Sequence, residues 1–281
     1  MRLIASLAAA AVLALSVGTS LPAMAQPAPD PAMAQVLASS HRDADRARDV
    51  YRHPAEMLSF FDVRPGMTVV DFWPAGGWFS RVLIPYLGPQ GTYVGLNPPV
   101  GDGDPPYFQA LRNYGETLPG QAASWVPQGG ARVVGANVGG LPDALAGTAD
   151  RVLILREIHN IRRMNWFHDV AVAARTLLKP DGLLGVEQHR ANPDAPASYT
   201  LGDNGYQREQ DVIALFEAYG FELVARSEVN ANPRDPADWP GGVWTLPPGY
   251  RGTPAENTAR RAELDAVGES DRMTLLFRKR P

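Results

Sequence analysis

The chain has 281 residues, 45% of them hydrophobic and 20% charged, and carries a formal net charge of −4. That length suits one large α/β domain with a sizeable core, and the composition excludes a collagen, a coiled coil and a wholly disordered chain. The arginines are scattered rather than clustered, which argues against nucleic acid as the main partner. Cysteine is absent, so there is no disulfide framework, thiolate metal site or cysteine nucleophile.

The first 25 residues have the three parts of a secretory signal peptide. Arg2 supplies a positive charge, an apolar run follows at 3–17, and Ala23-Met24-Ala25 has the spacing of a cleavage site. The run is shorter than the roughly 20 residues that span a bilayer. We therefore expect cleavage after Ala25, a periplasmic or secreted mature protein, and no integral membrane segment after cleavage. An uncleaved N-terminal anchor is the alternative.

The mature chain is predicted to form a single domain. Residues 26–39 are rich in Pro and Ala and predict a flexible leader, and the domain covers 40–281. Apolar segments predict seven strands, at 67–72, 91–96, 131–136, 150–158, 183–188, 221–226 and 272–277. Amphipathic or capped segments predict two helices between 40 and 61, others at 78–87, 107–114, 165–178 and 207–219, and one that starts at 253–256.

The alternation of strands and helices indicates the fold class. Such alternation implies parallel crossover connections and a sheet covered on both faces. We therefore expect an α/β fold with a doubly wound, mostly parallel seven-stranded sheet and helices on both faces. The first strand–helix turn lacks the G-x-G-x-x-G spacing of a dinucleotide dehydrogenase, and the chain lacks the G-x-S-x-G of a serine hydrolase. Both enzyme classes are disfavoured.

The first strand and the bend after it carry a family resemblance. The run VVDFWPAGGWFSRVLIPYLGPQGTYVGLNP (69–98) resembles the first glycine motif and second strand of class I S-adenosylmethionine-dependent methyltransferases. More narrowly, the chain is similar to a family of exported predicted methyltransferases, through further matches at 178–182, 187–190 (EQHR), 217–223 (EAYGFEL) and 268–272 (GESDR). The resemblance covers roughly 40–278, and it implies a Rossmann-like methyltransferase fold with S-adenosylmethionine as cofactor.

The resemblance also implies which residues hold the cofactor. In the family, the acid at the end of the first strand supports the amino group of the ligand, a role that falls on Asp71. The loop that follows approaches the ligand closely and needs residues without bulky side chains, here Gly76 and Gly77. Asn97 takes the position of the acid that binds the ribose hydroxyls, and its oxygen accepts a hydrogen bond without the strength of a charge.

The glycine motif departs from the family pattern at two positions. The first two glycines of D-x-G-x-G-x-G are replaced by Trp73 and Ala75, and Trp73 is bulky where the backbone should pass near the ligand. The predicted cofactor-binding residues are therefore Asp71, Trp73, Ala75, Gly76, Gly77 and Asn97.

Two Glu-x-His steps form a second constellation. Glu157 and His159 end the fourth predicted strand, and Glu187 and His189 end the fifth. Residues two apart on a strand point to the same side, and the two strands are neighbours in this fold, so the two imidazoles should lie within about 10 Å of each other. His159, aided by Glu157, or His189 would then act as general base toward an acceptor hydroxyl or amine.

Two alternatives to this role stay open. Two histidines and a carboxylate are also a ligand set for a divalent metal, although no metal is predicted. In the other alternative, the imidazoles bond loop backbone and the acids pair with Arg156, Arg162 or Arg190.

The sequence thus predicts an S-adenosylmethionine-dependent methyltransferase that acts on a small-molecule acceptor. The alternative is a non-catalytic periplasmic small-molecule-binding or envelope-associated protein that retains the fold. Its motivation is the compartment, because the methyl donor is made in the cytoplasm, together with the altered glycine motif and Asn97.

Overall fold

The computed structural model describes residues 30–109, 111–126 and 128–281. The predicted signal peptide (1–25) and the first four residues of the predicted leader lie outside the described residues. In the part of the chain that the structure describes, no helix has the length and apolar character needed to cross a membrane.

A single seven-stranded sheet organises the fold. Its strands are β1 (Thr68–Phe72), β2 (Thr92–Asn97), β3 (Arg132–Asn137), β4 (Ala149–Leu155), β5 (Leu178–His189), β6 (Phe221–Ser227) and β7 (Arg272–Lys279). Their order is β3-β2-β1-β4-β5-β7-β6. The first five are parallel, whereas β7 runs antiparallel to both of its neighbours. The predicted fold class is confirmed, and β4 and β5 are adjacent as expected.

Helices cover both faces of this sheet. They are α1 (Pro31–Ala38), α2 (Asp49–Arg52), α3 (Pro54–Phe60), α4 (Ser80–Leu87), α5 (Pro106–Gln109), α6 (Tyr114–Trp125), α7 (Ile158–Arg163), α8 (Phe167–Leu177), α9 (Ala197–Thr200), α10 (Glu209–Ala218) and α11 (Thr258–Val267). One core layer contains buried side chains of α1, α3, α4 and α6, and the other those of α8 and α10. The inner strands β1, β2 and β4 are buried almost throughout, whereas the edge strands β3 and β6 are only partly buried.

The leader prediction is wrong for residues 31–38, which form α1. The Asp30 carboxylate caps this helix by accepting a hydrogen bond of 2.9 Å from the Ala32 amide, and Pro31 occupies the first turn, where a missing N–H costs nothing. Met33 and Val36, three residues apart, are buried in the same core layer as α4. The Pro- and Ala-rich composition of this segment did not indicate that Met33 and Val36 form an apolar face.

Two other helices differ from their predicted positions. Between β2 and β3 the longer helix is α6. It is not predicted from the sequence because Pro119 and two glycines are unfavourable inside a helix. One of them, Gly115, packs closely on β3, since a Cβ there would lie 3.1 Å from Oδ1 of Asn137 and 3.2 Å from the backbone of Ala136. Near the C-terminus, α11 begins after Asn257, whose side chain accepts from the Arg260 amide, and not at 253–256.

Candidate active site

A cavity of about 580 Å³ lies at the carboxyl edge of the parallel strands. Trp73 follows β1 there, Arg156 follows β4, and His189 ends β5. The opposite wall comes from the long segment before β7 and includes Trp244 and Pro247. In open α/β sheets this edge is where ligands bind, and the volume is in the range of small-molecule sites.

The turn after β4 differs from its prediction. β4 ends at Leu155, so Glu157 and His159 are not on a strand. Arg156 takes a left-handed conformation with φ of 65°, which turns the chain. Glu157 then occupies the N-cap position of α7 without a capping side-chain bond, and His159 lies in the first turn of that helix. The two side chains nevertheless both line the cavity. Their shared position comes from the turn and the helix, not from strand alternation.

The rings of His159 and His189 lie close together, with their centroids 5.6 Å apart. The expected proximity is therefore confirmed. Burial lowers the pKa of His159 to about 4. Burial, with repulsion from His159 and nearby arginines, also holds the pKa of His189 well below its ordinary value. Both imidazoles are thus neutral at pH 7.

Gln188 determines which nitrogen of His159 carries the proton. The Gln188 side-chain oxygen accepts from the Ile158 amide at 3.0 Å, and its nitrogen donates to the Gly205 carbonyl at 2.7 Å, which fixes the orientation of the amide. The same nitrogen lies 3.4 Å from Nδ1 of His159 and can only donate to it. His159 is therefore held with its proton on Nε2, as a hydrogen-bond donor.

His189 has a different partner. Its Nδ1 lies 2.6 Å from the hydroxyl oxygen of Ser270, a cavity residue that is not among those predicted from the sequence. The acid of its pair, Glu187, is fully buried and ion-paired to Arg272 at 2.8 Å. The structural alternative expected the acids to pair with Arg156, Arg162 or Arg190, but Arg272 is the near partner of Glu187, and Arg156 lies farther away at 3.7 Å.

Glu157 has the properties of a proton acceptor. Its Oε2 accepts a hydrogen bond of 2.7 Å from Asn160, and among the described residues its Oε1 has no hydrogen-bond partner. Burial raises the pKa of this carboxyl to about 7, against the opposing effects of Asn160 and Arg156. Of the predicted catalytic residues, Glu157 is the one that titrates near neutral pH.

The bend after β1 is partly filled by aromatic side chains. Trp73 has φ of 51° and packs against Phe108 and Trp166, with ring centroids at 5.5 and 6.2 Å. Ala75 lines the cavity. No atom lies within 4 Å of a Cβ built on Gly76, which is exposed.

Four predicted cofactor-binding residues lie outside the cavity lining, namely the exposed Gly76 together with Gly77, Asp71 and Asn97. Gly77 (φ 75°) is covered by the Trp125 ring, whose atoms lie 2.7 Å from the position that a Cβ would occupy. Asp71 is buried and accepts a hydrogen bond of 2.8 Å from Tyr93, and burial raises its pKa to about 7. Asn97 is buried at the end of β2, where its side-chain nitrogen donates to the Leu111 carbonyl at 2.5 Å.

The four arginines of the cavity, Arg48, Arg156, Arg163 and Arg251, are not among the site residues predicted from the sequence. They come from three separate parts of the chain: Arg48 lies before α2, Arg156 and Arg163 lie in the turn after β4 and in α7, and Arg251 lies before α11. No local spacing signals their convergence. Among the described residues, no group of three or more His, Cys, Asp or Glu side chains is arranged to hold a metal ion.

No family model matches the chain, and no curated protein matches it. Among solved structures, a chain from the Haloferax volcanii complex that contains the Trm112 methyltransferase activator has 13% identity and a TM-score of 0.50, over 90% of this chain and 100% of that chain. The SAM-dependent methyltransferase from Aquifex aeolicus has 16% identity and a TM-score of 0.47, over 70% of this chain and 93% of that one. At such identities the similarity concerns the fold alone. The chain has the Rossmann-like methyltransferase fold.

Proposed function

We propose that the protein is an S-adenosylmethionine-dependent methyltransferase that methylates a small molecule bound in the cavity. The observation that carries this proposal is the position of Glu157, a carboxylate with a pKa of about 7 that faces the cavity beside the bend after β1. A general base is most effective when its pKa lies near the working pH.

Residues at the bend after β1 and at the end of β2 fit this cofactor. Ala75 and Gly76 are exposed, and the open space at Gly76 lets a ligand lie against the backbone. At the ribose position, Oδ1 of Asn97 is buried without a hydrogen-bond partner among the described residues, so it can accept from a hydroxyl group. Because Leu111 covers Asn97, the segment after β2 must move aside when the adenosyl end binds.

Two side chains of the cavity, Glu157 and His159, have different roles in the proposed reaction. S-adenosylmethionine, when bound, supplies an electrophilic methyl group. Glu157 removes the acceptor's proton at Oε1, while Asn160 holds Oε2 in place. His159, with its proton on Nε2, donates a hydrogen bond that orients the acceptor. Most of the rate enhancement then comes from positioning.

Calorimetric titration of the mature protein with S-adenosylmethionine and S-adenosylhomocysteine tests the proposal. Binding of both, competitive with each other, is the expected result. If neither produces heat or a thermal shift at millimolar concentration, the methyltransferase proposal is wrong.

A second candidate is a periplasmic small-molecule-binding or envelope-associated protein that keeps the fold without transfer. The hydrogen bonds of Asp71 with Tyr93 and of Asn97 with Leu111 favour it, because they occupy within the protein two side chains that would otherwise bind the cofactor. Mass spectrometry of ligands retained by the protein purified from periplasm distinguishes the two. An adenosyl compound excludes this candidate, and a different metabolite supports it.

Export belongs to the same proposal. N-terminal sequencing of the protein recovered from the periplasm or medium should begin at Gln26, the residue after the expected cleavage site. A chain that keeps Met1 and stays with the membrane fraction would instead support the uncleaved anchor.

A further inference from the structure

The cavity is positively charged in a protein that is negative overall. Four arginines line it, Arg48, Arg156, Arg163 and Arg251, against two carboxylates, Glu157 and Glu269. The chain as a whole has a formal net charge of −4. The excess of cations is therefore a local feature of this site.

The carboxylates near the cavity are already shared among several arginines. Glu269 pairs with Arg48 at 2.6 Å, Arg52 at 3.2 Å and Arg272 at 2.8 Å. Burial and the neighbouring Arg156 lower the pKa of Arg52 to about 8. Such a shift means that the buried positive charge is incompletely compensated.

The Arg156 side chain, which lies over the Phe79 ring at 5.6 Å, makes no hydrogen bond to any described residue, unlike the other three cavity arginines. Its Nε is buried without a hydrogen bond to any described residue, and the nearest carboxylate, Glu187, is 3.7 Å away. Glu187 is itself paired with Arg272. A buried donor without an acceptor is unfavourable, and the planar guanidinium matches an oxyanion through two parallel hydrogen bonds.

One wall of the cavity is apolar. It is formed by Trp244, Leu246 and Pro247, and Arg251 lies over the Trp244 ring at 4.3 Å. An oxyanion at Arg156 would therefore have an organic body lying against this wall.

We propose that the cavity binds a small organic anion, with a carboxylate or phosphate group held by Arg156 and an apolar body against Trp244 and Pro247. This assigns the class of acceptor molecule and in that respect rests on the proposed function. The anion binding itself requires no cofactor and can be measured without one.

Benzoate, phenyl phosphate and benzamide are suitable probes, because they share an aromatic body and only the first two are anions. Thermal unfolding of the mature protein with each probe at millimolar concentration should show stabilisation by at least one anion and none by neutral benzamide. Stabilisation by benzoate alone indicates a carboxylate ligand, and by phenyl phosphate alone a phosphate ester. Failure of both anions, or equal stabilisation by benzamide, overturns the inference, whatever the behaviour of any variant.

Two variants locate the anion. Arg156→Gln should weaken binding of the effective anion by about tenfold or more, since a hydrogen bond to a charged group is lost. Arg278→Gln, which removes an exposed arginine of β7 paired with Glu222, should bind as the wild type does. If folded Arg156→Gln binds as well as the wild type, Arg156 does not hold the anion. If that variant does not fold, the comparison of the two anions with benzamide on the wild type still tests whether the cavity binds an organic anion.

Competition separates the acceptor from the cofactor as source of the anionic group. If S-adenosylhomocysteine displaces the anion and 5′-methylthioadenosine, which lacks the amino acid, does not, Arg156 holds the cofactor's own carboxylate and the acceptor assignment is wrong. Simultaneous binding of S-adenosylhomocysteine and the anion supports the assignment. Anion binding in a protein that binds no adenosyl compound leaves the anion site intact and overturns only the methyltransferase proposal.

Discussion

The hydroxyl group of Tyr93 in β2 donates a hydrogen bond of 2.8 Å to the carboxylate of Asp71 in the adjacent strand β1, and both side chains are buried. Ser80 at the start of α4 lies 2.7 Å from the same hydroxyl. The acid that the resemblance assigns to the cofactor is thus held inside the protein by its own neighbours. Burial, opposed by the bond from Tyr93, raises its pKa to about 7.

Replacing this acid changes how stability depends on pH. The folded state keeps a proton on Asp71 that the unfolded state has already lost, so the wild type loses stability as pH rises from about 4 to about 7. Asp71→Asn has no such proton, and its free energy of unfolding should rise relative to the wild type over this range, by up to about 4 kcal/mol. Urea unfolding at pH 5 and pH 8 measures the difference.

The control for this experiment is Asp102→Asn, which alters an exposed aspartate. Its difference from the wild type should be nearly the same at both pH values. An Asp71→Asn variant whose relative stability is also independent of pH would contradict the raised pKa.

His159 should have the opposite effect. Its pKa in the folded state is about 4, below the unfolded value of 6.5, so the unfolded state takes up a proton first as pH falls. The wild type should therefore lose stability relative to His159→Asn between about pH 6.5 and pH 4, by on the order of 3 kcal/mol at most. Denaturant unfolding at several pH values in this window tests it, with the exposed His168→Asn as control. A constant difference between wild type and His159→Asn would show that the ring titrates normally.

Glu157→Gln should abolish proton removal while keeping the shape of the side chain. If methyl transfer occurs in the cavity, kcat should fall by about 100-fold or more, with little change in the KM of the acceptor. In the wild type, kcat should rise with pH to a plateau above about pH 7, because Glu157 must be deprotonated. The exposed Glu263→Gln serves as control. A full rate in Glu157→Gln, or a profile without a transition near pH 7, excludes Glu157 as the base.

Substitution by alanine should affect stability differently at the adjacent glycines Gly76 and Gly77 of the bend. Gly77→Ala places a methyl group 2.7 Å from the Trp125 ring at a residue with φ of 75°, and should lower the free energy of unfolding by about 2 kcal/mol or more. At Gly76 a Cβ meets nothing within 4 Å, so Gly76→Ala should change stability by less than about 0.5 kcal/mol. Equal stability of the two variants in denaturant unfolding would mean that Trp125 does not lie over Gly77.

The amino-acid sequence alone determined the seven strands, their alternation with helices and the edge of the sheet where the site lies, although it did not reveal α1. Continuous apolar runs such as 152–155 are local signals of strands buried on both faces, and the parallel arrangement follows from the helices between them. The expectation that His159 and His189 lie close together also used the family resemblance, because that resemblance places the fourth and fifth strands side by side.

Tertiary structure decided what surrounds these side chains. The end of β4 at Leu155, the contact of Trp73 with Phe108 and Trp166, and the closure of Asn97 by Leu111 depend on residues far apart in the chain. The same holds for the positive charge of the cavity, since Arg48 and Arg156 are brought together only when the sheet is assembled. Apolar periodicity is a local property of a sequence, whereas burial and the electrostatic field at a site are sums over the whole fold.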